Sequence, residues 1–250
     1  MRNIIIKNTD IERLFHSENS MRMCEVSIKQ DNLLTSFGQY ISSAPPFMCD
    51  TGLTTEKIKE DLDKKLLHLV VNSFALERSY LLYIETIIQL FTDLENLKGV
   101  SRVLVSVRNF FAPGDTVWHV DRSTKRFAIR AIWPLARRYG TLYTPIENID
   151  LKIHSAYMTR EHPLLSILDR QVFDRGVSYR DHWKHRPLQV ESMQKCEFSF
   201  VKNPLRIYQS SPKNIAMHRF DTGRQDGSYH CSSSGNEMTP GLQTIFTATE

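Results

Sequence analysis

Phe111-Ala112-Pro113-Gly114-Asp115-Thr116-Val117-Trp118-His119-Val120-Asp121 is the stretch on which the reading of this chain turns. Pro113-Gly114-Asp115 has the composition of a turn, and the residues after it read as a strand. His119 and Asp121 are two apart, so on a strand both side chains leave the same face, as a chelating pair must. His218, in Ile215-Ala216-Met217-His218-Arg219, is the candidate third ligand. Two imidazoles and one carboxylate on one triangular face would leave the opposite positions of an octahedral ion open. An H-x-D tripeptide also arises by chance, as ordinary polar residues on a strand, so its surroundings carry the weight.

Upstream, Val103, Val105 and Val107 alternate with Leu104, Ser106 and Arg108, a period of two that predicts a strand leading into the Pro113-Gly114 turn. Before Gly99 the period is helical. Ile58, Leu62, Leu66 and Leu69 form one apolar stripe, opened by Thr54 or Thr55 as a cap with Glu56 in the first turn. Tyr80, Ile84, Ile87, Phe91 and Leu94 form a second stripe, which stops near Gly99. Residues 1–50 are mixed and end in the proline-bearing connector Ala44-Pro45-Pro46.

Downstream, residues 125–134 predict a strand with Phe127, Ile129, Ala131 and Trp133 on one face and Arg126, Ala128, Arg130 and Ile132 on the other. Residues 139–145 predict a turn and a short strand; 196–201, 205–208, 214–220 and 242–248 predict further strands. Residues 150–195 are polar and rich in Arg and His, with a short helix at 163–173, and read as an insertion or lid. The expected organisation is one domain over 1–250: a mostly helical part, 1–99, packed on a β core, 100–250.

Composition bounds the rest. The 250 residues are 41% hydrophobic, enough for one sizeable core. A formal charge of +4 without a long Lys/Arg block argues against a nucleic-acid binder. Cys24, Cys49, Cys196 and Cys231 are far apart and form no C-x-x-C pair, which fits reduced thiols. The N-terminal apolar run is only Ile4-Ile5-Ile6, too short for a signal peptide, and no run approaches a membrane span. The expectation is a soluble, cytoplasmic protein.

Pro113-Gly114, then His119-Val120-Asp121, then Gly140-Thr141-Leu142-Tyr143-Thr144-Pro145, then His218-Arg219 resembles the Fe(II)- and 2-oxoglutarate-dependent dioxygenases. In these a Pro-Gly turn precedes the H-x-D strand, a Gly-bearing turn and short strand follow, and a distal His closes the site. The order H-V-D, G-T-x-x-x-P, H-R is also similar to uncharacterised bacterial proteins of that superfamily. The resemblance covers residues 100–250 and implies an α+β fold: a double-stranded β-helix, a jelly-roll or cupin-like barrel, buttressed by the N-terminal helices. It implies Fe(II) held by His119, Asp121 and His218, with 2-oxoglutarate as cosubstrate. The activity would be oxidative decarboxylation to succinate coupled to oxidation of a substrate C–H bond, in a small molecule or a protein side chain.

The family's usual Arg for the far carboxylate, about ten residues after the distal His, has no counterpart at Ser228-Tyr229-His230. Arg130 is the first alternative, since a guanidinium grips a carboxylate bidentately; Arg224 is the second, and Tyr143 could hydrogen-bond the cosubstrate. Competing arrangements stay open. His182 and His185 are three apart, and His230 adjoins Cys231, but no standard zinc spacing matches. His154 and His162 read as polar loop residues, and Trp118, of opposite parity to His119, as a packing residue. A catalytically idle barrel serving as an interaction module, or a cupin-like metalloenzyme without a 2-oxo acid, would use the same strands. Substrate choice would lie in 150–195 and in the Gly/Ser loop 221–241. No P-loop, dinucleotide fingerprint, G-x-S-x-G or H-E-x-x-H is present.

Overall fold

The computed structural model describes Leu14 and residues 23–28, 32–109, 118–136, 140–156, 199–224, 227–232 and 241–250. Its elements are β1 (Met23–Ser27), α1 (Asn32–Ser42), β2 (Met48–Gly52), α2 (Thr55–Leu62), α3 (Phe74–Glu95), β3 (Arg102–Arg108), β4 (His119–Val120), β5 (Ala128–Leu135), β6 (Thr141–Pro145), β7 (Tyr208–Gln209), β8 (Asn214–Arg219), β9 (Ser228–Ser232) and β10 (Leu242–Thr249). The fold is α+β with two antiparallel sheets and no closed one. The larger runs β1-β8-β5-β10-β3-β2 and the smaller β4-β9-β6-β7.

The helices form where the apolar stripes predict them. Thr54 Oγ1 accepts from Lys57 N and opens α2; Asp63–Leu67 continues as a π-helical stretch that keeps Ile58, Leu62 and Leu66 on one buried face. Ser73 caps α3 through Leu76 N. Tyr80, Tyr83, Ile84, Ile87, Phe91 and Leu94 of α3 are all buried. Phe37 of α1 packs on Tyr83 at 5.0 Å, and Tyr83 packs on Trp133 of β5 at 5.5 Å. The main core therefore lies between the helices and one face of the large sheet. Phe127, Ile129, Ala131 and Trp133 are all in it, as their alternation predicts. Among the described residues no helix is long and apolar enough to cross a membrane.

Residues 1–50 hold more than sequence reading found. β1 adds to β8 at one edge of the large sheet and β2 to β3 at the other. Asn109 ties the chain between α1 and β2 to the sheet: its amide donates to Ile41 O and Ala44 O, each at 3.0 Å, and accepts from Phe47 N at 2.9 Å.

Three segments differ from expectation. The strand expected at 205–208 is a 3-10 turn, Pro204–Arg206, followed by the two-residue β7. Pro204 opens that turn, and Asn203 Oδ1 accepts from Leu205 N, so the local cap wins over extension. Conversely, β9 lies in what reads as a Gly/Ser loop; its serines hide a strand whose Tyr229 and Cys231 are buried on one face. In the strand expected at 196–201, residues 199–200 form a turn and Val201 makes only an isolated bridge with Ile149; residues 110–117 and 157–198, with most of the expected 150–195 insertion and its helix at 163–173, lie outside the described residues.

Connectivity explains how distant residues meet. β3 pairs with β10, β4 with β9, β5 with β8 and β6 with β7, all antiparallel. The chain from β3 to β10 is thus one long two-stranded ribbon, folded so that its paired segments lie alternately in the large and the small sheet up to β6, with β5–β10 and β6–β9 pairs joining successive turns. Gly140 makes one joint possible: a Cβ there would sit 1.8 Å from the Ser210 carbonyl oxygen, so only glycine lets β6 start against the end of β7.

Candidate metal centre

His119 lies on β4 directly opposite His230 on β9, and His230 lies opposite Tyr143 on β6. Register partners in a sheet share a face, so these three side chains form one row across the small sheet. The other face of that sheet is apolar: Trp118, Leu142, Tyr229 and Cys231 pack there with Ile149 and Phe200. Alternation along β4 and β9 therefore separates ligand-type residues from packing residues, and Trp118 packs, as its parity predicts.

His154 is a correction. Rather than an ordinary loop residue, it is buried, its ring nitrogen lies 2.7 Å from the Trp118 carbonyl oxygen, and its ring meets those of Phe200 and Tyr229 edge-on, each at 5.0 Å. It fixes the backbone just before His119. On the other side, Asp221 N donates to the Asp121 carbonyl at 2.7 Å and Ser123 N to the Asp221 carbonyl at 3.0 Å. Gly227 permits this approach, since a Cβ there would lie 2.6 Å from Asp221 N.

From the large sheet come His218 on β8 and Arg130 on β5, themselves register partners. Both converge on the Asp121 carboxylate. Arg130 Nη1 donates to Oδ1 at 2.8 Å, and His218 Nε2 lies 3.0 Å from Oδ2. His230 Nε2 lies 3.5 Å from Oδ2 and His119 Nε2 3.9 Å from Oδ1. The His218 and His230 rings are 3.9 Å apart between centroids, and those of His119 and His230 4.3 Å. One carboxylate is thus surrounded by three imidazoles and a guanidinium. Donor atoms of His119, Asp121 and His230 all lie within 4.8 Å of one another, and these three could hold a metal ion.

The electrostatics suit a cation. Burial by itself would raise the Asp121 pKa, but the His218 hydrogen bond, the neighbouring His230 and His218 imidazoles and, last, the Arg130 guanidinium overcome it and hold the carboxyl far below the usual carboxylate range. His218 and His230 are driven down from 6.5 chiefly by burial, so at neutral pH both are uncharged; His218 donates its Nε2–H to Asp121, whereas His230, whose Nδ1–H donates to Ser228 O at 3.2 Å, keeps its Nε2 lone pair to offer. A metal needs ligands in these protonation states.

The same shifts set a pH dependence for the metal-stripped protein. The unfolded chain takes up protons at histidine near pH 6.5 that buried His218 and His230 refuse, so folding stability is present above that value and lost as pH falls through it. Asp121, also held low, adds loss in the same direction at more acid pH. The thermal midpoint after chelator treatment is expected to fall between pH 7.5 and 5.5; a midpoint that rises contradicts this environment.

Of the residues singled out by sequence, His119, Asp121, His218 and Arg130 come together, and Tyr143 stands beside His230. Tyr143 stacks on Tyr208 at 5.4 Å, and burial, assisted by Glu25, pushes its hydroxyl up to about 12. Arg224 does not join them. It lines a separate cavity with Lys125, Arg126 and Arg219. His162, His182 and His185 lie outside the described residues. His230 and Cys231, adjacent in sequence, face opposite sides of β9, with Cys231 in the apolar cluster, so they form no joint site.

Sequence reading missed His230 as a partner of His119, and missed Arg108. The signal for His230 was its alternation with Tyr229 and Cys231, masked by the serines around it. Arg108, at the end of β3, is buried and donates from Nε to Gln243 Oε1 at 2.9 Å, directly across in register on β10. No family model, no curated protein and no solved structure matches the chain.

Proposed function

We propose that the chain is an Fe(II)- and 2-oxoglutarate-dependent dioxygenase on a double-stranded β-helix, with iron held by His119, Asp121 and His230. The observation that carries this reading is the convergence of two imidazoles and one carboxylate from register-paired β4 and β9. Two neutral nitrogens and one oxygen anion on one side are the donor set of the non-haem Fe(II) oxygenases, which keep further positions open. The nested pairing of β3–β10, β4–β9, β5–β8 and β6–β7 supports the fold, because a two-stranded ribbon wound into two sheets is what a double-stranded β-helix is.

The chain's own residues fit the group. Arg130 and His218 grip the Asp121 carboxylate from the large sheet, so its orientation is set before any ion arrives; such outer partners tune metal affinity. When bound, iron with a 2-oxo acid and oxygen would supply the oxidising chemistry. For the far carboxylate of 2-oxoglutarate, Arg130 has one arm on Asp121, and Arg224 sits in another cavity. Arg108, buried and held by Gln243 on β10, the strand that follows His230, is the cation we assign to it in preference.

A second reading is favoured by one contact. His218 Nε2 lies 3.0 Å from Asp121 Oδ2; if it gave up that hydrogen bond and turned to the ion as a fourth ligand, it would fill a position and suit a cupin-like metalloenzyme that uses no 2-oxo acid. Anaerobic addition of Fe(II), then of 2-oxoglutarate, separates the two. The first reading expects a weak visible charge-transfer band on 2-oxoglutarate addition and succinate formation once oxygen is admitted with substrate. The second expects stoichiometric metal with neither. A wild-type protein that retains no metal sinks both.

A further inference from the structure

A cavity of about 480 Å³ is built by two loops that run on from the Asp121 and His218 segments, and it is strongly basic. Lys125 and Arg126 come from the connection into β5, Arg219 from the end of β8 and Arg224 from the turn beyond it, with Thr124 and Thr222 adding hydroxyls. Glu250 is the one acid on its wall among the described residues. Arg219 directly follows His218, so alternation sends it to the opposite face of the large sheet, and this cavity is separate from the metal centre.

We propose that this cavity binds a phosphoryl dianion. Lys125, Arg126 and Arg224 make no ion pair with a carboxylate among the described residues, and like charges held around one concavity repel unless an anion joins them. Arg219, 4% exposed, forms part of the wall beneath these three cations. Guanidinium forks match the oxygens of a phosphoryl group in pairs, and the Thr124 hydroxyl on the wall is a further donor. One carboxylate ligand would leave most of the charge unanswered; a phosphoryl group brings close to two charges and three strong acceptors. The volume is that of a small-molecule site, and a whole-chain charge of only +4 makes the field local rather than the broad basic face a polynucleotide needs. Because Asp221 N is bonded to the Asp121 carbonyl, an occupant would brace both loops next to the metal ligands.

Calorimetric titration of chelator-treated protein at constant ionic strength tests this, with inorganic phosphate, pyrophosphate, a nucleoside monophosphate and a single-stranded oligonucleotide as probes. Saturable one-to-one binding is expected, weakened about tenfold or more in the Lys125→Gln/Arg224→Gln double variant, as loss of charge-assisted hydrogen bonds implies, and unchanged in Lys65→Gln. Inorganic phosphate binding as tightly as the monophosphate identifies the free anion as ligand; tighter monophosphate binding identifies an ester. Absence of saturable heat, equal binding by the double variant, or binding of the oligonucleotide alone overturns the proposal. Stripping the metal makes the outcome independent of the iron assignment.

Discussion

His230→Ala is expected to lose metal binding by more than about 100-fold, whereas His218→Ala is expected to lose about 10- to 100-fold, the range for residues that orient a ligand. The difference follows from position. His119 and His230 face each other across one strand pair, with Asp121 just past the end of β4, so their donors close a triangle within 4.8 Å. His218 reaches the same carboxylate from the other sheet. Removing His230 opens the triangle; removing His218 leaves it intact while freeing one Asp121 oxygen. Asp121→Ala is expected to be at least as damaging as His230→Ala, because every member of the cluster meets at that carboxylate, and it should also abolish the charge-transfer band. Competition against a chromophoric chelator gives the affinities, and circular dichroism shows whether each variant folds. Normal affinity in His230→Ala together with loss in His218→Ala would transfer the third ligand to His218.

Trp133→Ala is expected to destabilise the protein by about 3–5 kcal/mol, the usual cost of deleting a large buried aromatic. Trp133 is fully buried at the centre of β5, against Tyr83 of α3, and Tyr83 in turn touches Phe37 and lies 2.6 Å, hydroxyl to hydroxyl, from Thr244 of β10. The cavity would open where three layers meet. At about 2–4 °C per kcal/mol for a chain of this size, the thermal midpoint should drop by roughly 10 °C. Metal affinity of the folded fraction should hold, since Trp133 faces the helices and Arg130, of opposite parity on the same strand, faces Asp121. A midpoint within experimental scatter of wild type would show that this junction is not where the large sheet and helices are held together.

Local rules made much of this legible from sequence. Helical stripes found α2 and α3, period-two alternation found β3 and β5, with Trp133 and Arg130 already on opposite faces, and the short segments at 139–145, 214–220 and 242–248 read as the strands β6, β8 and β10. The H-x-D parity put His119 and Asp121 side by side. What escaped was of two kinds. β9 escaped because serines around Tyr229, His230 and Cys231 read as loop, and the 205–208 segment was misread because an Asn203 cap and Pro204 overrode extension. β1 and β2 escaped because short edge strands borrow their stability from the sheet they join.

Sequence by itself determined which side chains share a face within one element, since that depends only on the fixed geometry of a strand or helix. Tertiary structure alone decided which elements face each other. His119 and His230 become neighbours through the pairing of β4 with β9, Arg108 meets Gln243 through β3 with β10, and Asp121 meets His218 across 97 positions through two sheets laid against each other. No local preference encodes these meetings: they follow from how the whole ribbon buries its apolar faces, on the helices at one sheet and on the Trp118 cluster at the other.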